Sequence, residues 1–165
     1  MVESSLPWMS SEPPGRRLVA ANDPNCEQVV CREDEEVRAV LLAAYAPLGG
    51  VCDGDEVLSS LRCTGQQQPL SLLARLIVDR EVIAVCCHGT TLLPIFQFDR
   101  TSWLARADVR RVVRQLRSVL DALDLGLWFA TPNVALSGRC PASEIDTDAQ
   151  AVLQAARLEH FIARW

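Results

Sequence analysis

Leu92–Asp99 reads LLPIFQFD, Leu127–Ile145 reads LWFATPNVALSGRCPASEI, and an arginine-rich helical stretch lies between them. The first run has the β-branched and aromatic content of a strand. From Arg106 to Leu123 the residues Val109, Val112, Val113, Leu116, Val119, Leu120 and Leu123 recur at helical spacing, which predicts one amphipathic helix with that face in the core. A second helix starts at Leu125, carries Trp128 and Phe129, and stops at Thr131-Pro132-Asn133. Leu136 to Pro141 then reads as a tight connection, because the residue before a proline is turned away from helical geometry. A last helix, capped by Asp146 or Thr147, puts Val152, Leu153, Ala156, Leu158, Phe161 and Ile162 on its apolar side and ends at Trp165.

Working back from Leu92, the runs VIAVCC and TLLPIFQF flank His88-Gly89, which predicts a hairpin with Pro94 on an edge or at a bulge. Two short helices precede it. One is capped by Asp53 and buries Val57, Leu58 and Leu61; the other follows Pro69 and buries Leu72, Leu73, Leu76 and Ile77. A further helix runs from a cap at Asp34 to about Tyr45, ended by Pro47 and Gly49-Gly50. Residues 1–33 hold five prolines or glycines and no sustained periodicity, so they read as an arm, in which Leu6, Trp8 and Met9 form an isolated apolar cluster. The expected fold is mainly α, a small helical bundle with one short β-hairpin. It divides into an arm (1–33), a winged-helix-like helical unit (34–91) and a helical domain (92–165).

With 165 residues, 49% of them hydrophobic, the chain can bury a core. No apolar run reaches the roughly 18 residues of a membrane span, and the N-terminus has no signal-peptide apolar core, so a soluble, cytoplasmic protein is expected. The seven cysteines are an odd number without framework spacing, as in an intracellular chain that uses thiols as small buried apolar groups. Cys86-Cys87-His88 has no second half, so neither metal nor cofactor is expected. All sixteen basic residues are arginine, yet the net charge is −5, the wrong sign for gripping nucleic acid over the whole surface. There is no nucleophile elbow, phosphate loop or HExxH, and His88 and His160 stand far apart, so the chain reads as a non-enzyme.

Phe96-Gln97-Phe98-Asp99, then a helix, then Trp128, Pro132, Asn133, Leu136, Gly138 and Pro141 make the pattern FQFD followed by W-x-x-x-P-N-x-x-L-x-G-x-x-P. This pattern resembles the C-terminal domain of the Xre/MbcA/ParS antitoxin family. The segment GGVCDGDEVLSSL, leading on to LLPIFQFD, looks like the degenerate helix-turn-helix or winged module that precedes that domain in some relatives. The resemblance implies an antitoxin that covers the active site of a RES-type, NAD-consuming toxin, represses its own operon and acts as a homodimer. It implies a partner-binding platform around Trp128, Asn133 and Arg139. The segment Ala155–Trp165, with Arg157, Phe161, Arg164 and Trp165, has the aromatic and arginine content of an interface anchor.

The acidic balance, the weak helix-turn-helix and the added arm depart from the family pattern and leave room for a substitute partner. A second reading is a DNA-binding transcription regulator without a toxin. Arg106, Arg110, Arg114 and Arg117 share one helix face, with Arg111 beside them, and would follow phosphates. Helix 70–78, offering Ser71, Arg75 and Arg80 with Gln66, Gln67 and Gln68 in the turn before it, would read bases. The plainer account of that stripe is a solvated face opposite the core, since Asp108 and Asp121 interrupt its charge. A third reading is an adaptor that binds another protein through the arm and the same platform.

Overall fold

A computed structural model describes the backbone of residues 24–165 and the side chains of residues 34–165; Leu6, Trp8 and Met9 lie outside it. The chain is mainly helical: α1 (Pro24–Tyr45), β1 (Val51–Asp53), α2 (Gly54–Cys63), α3 (Pro69–Val78), β2 (Val85–Cys87), β3 (Thr90–Pro94), α4 (Ala107–Leu116), α5 (Ala122–Ala130), α6 (Pro141–Glu144) and α7 (Ala149–Ile162). This is the expected helical bundle with a short hairpin, enlarged by one strand.

The hairpin forms where His88 and Gly89 both take positive φ (50° and 73°), the combination a two-residue turn needs to follow the twist of its strands. β1 is the unexpected strand. It pairs antiparallel with the open edge of β3, Val51 opposite Pro94, and makes β3 central in the order β1-β3-β2. Pro94 is therefore not on an edge. It closes the central strand, and the ladder continues past it through the Ile95 amide, which donates to the Gly50 carbonyl at 3.0 Å.

Several helix limits differ from the sequence reading, α5 among them, which begins at Ala122 and not at Leu125. α1 begins at Pro24, so residues 24–33 belong to a helix and not to the arm. Asp34 does not cap it; its carboxylate accepts the His88 amide at 3.0 Å and ties α1 to the hairpin turn. α4 ends at Leu116 instead of Leu123, because a turn at 117–120 leads to Asp121, which caps α5 by accepting the Asp124 amide at 2.8 Å. Asp148, not Asp146 or Thr147, caps α7, accepting from Ala151 at 2.9 Å. By contrast α2 opens as expected, with a reciprocal capping box between Asp53 and Glu56 (2.8 and 3.0 Å).

Alternation along β3 splits the core in two. Leu93 points to α2 and α3, joining Val57, Leu61, Leu73, Leu76 and Phe98, while Leu92 joins Leu41, Tyr45, Val113, Leu116, Phe129 and Val152 on the other face. The boundary placed between residues 91 and 92 thus falls inside β3, and both halves share the sheet. Phe96 stacks on Tyr45 (centroids 5.7 Å) and meets Phe129 at a tilt (5.2 Å). The buried Tyr45 hydroxyl donates to the Gly126 carbonyl at 2.7 Å, and burial raises its pKa far above the ordinary value. A Cβ on Gly126 would meet the Leu41 and Ile83 side chains at 3.3 and 3.4 Å, so glycine here favours the close approach of α1 to α5.

Gln97, the polar member of FQFD, is buried and pairs with both peptide groups of Ile83: its amide donates to the carbonyl (2.9 Å) and its oxygen accepts from the amide (2.8 Å). A side chain here replaces a strand partner, which satisfies backbone groups that would otherwise be buried unpaired. Asp99 follows as a turn cap, accepting from Thr101 (3.1 Å) and from the Ser102 amide (2.8 Å) and hydroxyl (2.9 Å).

Candidate partner interface

The arginine stripe is engaged within the molecule. Arg106 pairs with Asp108 (2.6 Å) and with Asp146 (2.5 Å). Arg110 and Arg114 share the carboxylate of Glu81, which lies at the turn after α3; Arg114 reaches it at 2.9 Å through Nε and 2.5 Å through Nη2. Arg117 donates to the carbonyl of Asp79. In return Arg80 donates to the carbonyls of Arg117 (2.6 Å), the C-cap residue of α4, and Leu120 (2.8 Å), in the turn that follows.

Three consecutive residues, Asp79, Arg80 and Glu81, therefore clasp α4. Arg80 sits at φ +49°, a left-handed conformation that costs a non-glycine residue about 1–2 kcal/mol, and its two side-chain bonds offset that strain. Hydrogen bonds from Arg114 and then Arg110 hold the Glu81 carboxyl below its ordinary range.

Trp128, Asn133 and Arg139 form a framework. Trp128 is half-buried, edge-on to Phe129 at 5.1 Å, and packs against the larger core. Asn133 accepts the Ala135 amide through its side chain (2.9 Å), accepts from Leu136 and Gly138 through its carbonyl (3.0 and 2.9 Å), and donates to Arg139 (3.1 Å). Ser137 and Gly138, both at positive φ, turn the chain back. Arg139 pairs with the buried Glu144 at 2.7 Å. This closed turn holds up Val134, which is almost wholly exposed and was not singled out in the sequence.

α7 is two-sided along its length. Val152, Leu153, Ala155 and Ala156 are buried, and α7 lies along α4. Toward its end the apolar side chains are open: Leu158 is 50% exposed, Phe161 61%, Ile162 60% and Trp165 94%. Leu158, Phe161 and Ile162, at i, i+3 and i+4, share one face of the helix, and Trp165 follows just past its end. This corrects the expectation that Leu158, Phe161 and Ile162 face the core.

The Phe161 and Trp165 rings lie 6.0 Å apart at 51°, and Arg157, His160, Phe161, Arg164 and Trp165 line a shallow groove. The groove is anchored from below by His160, whose Nδ1 lies 2.7 Å from the Gln115 carbonyl. The structure thus gathers Arg157, Phe161, Arg164 and Trp165 in one groove, lined by none of Trp128, Asn133 and Arg139.

At the start of α3, Gln66, Gln67, Gln68, Ser71, Leu72 and Arg75 line an open depression. Among the described residues no three His, Cys, Asp or Glu side chains gather as a metal site, and no helix is long and apolar enough to cross a membrane. Burial pushes the Cys52 thiol up to about 12 and also raises that of Cys87, so both stay protonated in the core. The chain matches no protein-family model, no curated protein and no solved structure.

Proposed function

We propose that this protein acts by binding another protein, as a non-catalytic, antitoxin-like homodimer whose α7 enters and covers a RES-type, NAD-consuming toxin or a substitute partner. The supporting observation is the open stripe Leu158, Phe161, Ile162 and Trp165, flanked by Arg157 and Arg164 and mounted on a helix whose other turns are buried. Aromatic and arginine side chains on a rigid element are the usual energetic centre of an interface. The motif residues Asn133 and Arg139 support that element by shaping the turn that precedes α6.

The test is affinity capture from the native host at near-physiological salt after nuclease treatment. A stoichiometric small enzyme is expected, whose NAD consumption falls when the chain is added and which Phe161→Ala/Trp165→Ala releases. Absence of a stoichiometric protein partner would overturn the reading.

A second activity, repression of its own operon, has one favourable observation. Two helices followed by a hairpin, with β1 on its edge, leave Gln66, Gln67, Gln68, Ser71 and Arg75 open at the start of α3. Glutamine and arginine match adenine and guanine edges. Arg75→Ala should weaken a salt-sensitive gel shift on the upstream DNA; an unchanged shift would remove α3 from that role.

A further inference from the structure

We infer that the hollow between the turn after Phe98 and α6 binds a small monocarboxylate, an apolar molecule bearing one carboxyl group. The hollow shares no lining residue with the groove on α7, and the inference does not depend on the antitoxin reading.

The cavity holds about 290 Å³, the lower end of the range for small-molecule sites. Arg100, Arg106, Ser143 and Asp146 give its polar wall, and Leu48, Phe96 and Phe98 much of its apolar one. A few convergent polar groups beside an apolar surface are what fix the orientation of a small ligand.

The chain holds Arg100 in place at both ends. Its backbone belongs to a closed turn, in which the Trp103 amide donates to the Asp99 carbonyl at 2.8 Å and the Asp99 carboxylate accepts from Thr101 and Ser102. Its guanidinium lies against Gly49, where a Cβ would stand 2.6 Å from Nη2. Gly49 has φ +98°, so the glycine that turns the chain after α1 also makes room for the arginine.

Charge decides the class of ligand. Arg106 is already balanced, by Asp108 through Nη2 (2.6 Å) and by Asp146 through Nη1 (2.5 Å). Arg100 pairs with no carboxylate among the described residues, and its neighbour Asp99 is spent on the turn. Arg100 is therefore the cation of this lining that a ligand can reach without displacing an ion pair. One carboxylate matches it and can take two parallel bonds from the guanidinium. A phosphate dianion would bring a second negative charge toward the exposed Asp146, which repels it. The apolar part of the ligand then lies against Leu48, Phe96 and Phe98.

The test follows the arginine Nε–H signals of the full chain in 15N spectra during titration with sodium benzoate. Benzamide, neutral and of nearly the same shape, and inorganic phosphate are the comparison probes at equal ionic strength. Benzoate should shift the Arg100 signal saturably, with half-saturation on the order of 1 mM, and leave those of Arg75 and Arg157 unmoved. It should also shift the Ser143 backbone amide, and Arg100→Gln should abolish that shift while the remaining backbone signals keep their positions. Four results would each overturn the inference: no saturation by benzoate, an equal response to benzamide, a stronger response to phosphate, or a Ser143 shift that survives Arg100→Gln. A benzoate response shared by Arg75 and Arg157 would overturn it too, as binding to exposed guanidinium groups in general.

Discussion

α4 and α7 lie side by side, and both carry arginines and large side chains that suit an interface, yet the structure treats them in opposite ways. On α4 each arginine of the stripe has an anion or carbonyl inside the molecule, chiefly Glu81 and Asp79 from the turn after α3. The last turn of α7 and the residues just past it leave Phe161, Ile162 and Trp165 open beside Arg157 and Arg164. Residue type nominates a surface; the partners it already has decide whether that surface is free. The arginines of α4 hold two parts of one molecule together, and those of α7 edge a groove.

The largest expected effect tests the clasp. Glu81→Ala leaves the Arg110 and Arg114 guanidiniums without their shared carboxylate and should lower stability by about 2 kcal/mol, read as a lower urea midpoint at unchanged slope. A loss under about 0.5 kcal/mol would put these pairs among ordinary surface ion pairs.

Next in size is Arg80. Arg80→Ala keeps the left-handed backbone but loses the bonds to the Arg117 and Leu120 carbonyls, and should cost about 1–2 kcal/mol. Arg80→Gly also loses them but relieves the backbone, so it should be the milder variant by about 1 kcal/mol. The reverse order in thermal melts would show that the left-handed backbone at Arg80 carries little strain to relieve.

Acid should act on the clasp. Glu81 has a folded pKa below its ordinary value, so its contribution is fully present above about pH 4.3, where unfolded glutamate ionises, and is lost as pH falls through the folded pKa. Asp99, held down first by the Ser102 amide, contributes with the same sign. Glu81→Gln should flatten the acid limb of the stability profile, and an unchanged limb would locate the acid sensitivity elsewhere. The smallest effect belongs to the groove itself. Phe161→Ala with Trp165→Ala should change stability by no more than about 0.5 kcal/mol, since neither side chain fills the core.

Much of this fold was legible locally. The Asp53–Glu56 capping box, the His88-Gly89 turn and the proline that opens α3 are signals a few residues long, and each formed what its chemistry specifies. β1 escaped notice because three residues carry almost no pattern, and its partner on β3 is distant in sequence (Cys52 opposite Leu93). The end of α4 was hidden for a related reason. Val119, Leu120 and Leu123 pack against the core from the turn and from α5, so the apolar rhythm continues after the helix stops. The bond from Arg80 to the Arg117 carbonyl at its end comes from 37 residues away.

The site was legible in part. Phe161, Trp165 and their arginines stand out by type, while Leu158 and Ile162 continue the periodicity of a buried helix. Periodicity does not record where the supporting helix ends. His160 meets the carbonyl of Gln115, next to the last residue of α4, and beyond that point α7 has outrun its support. Glu81, the residue that ties up the stripe, lies 29 positions from Arg110 and had no local signature.

The most direct measurement compares two variants of the full chain for retention of the captured protein partner. Phe161→Ala/Trp165→Ala should lose it by about 100-fold in affinity while keeping its unfolding midpoint, as expected for anchors worth about 2–3 kcal/mol together. Arg110→Ala/Arg114→Ala should lose stability and, once folded, keep the partner. Retention by the first variant and loss by the folded second would contradict the assignment of binding to α7 and of the arginine stripe to internal support.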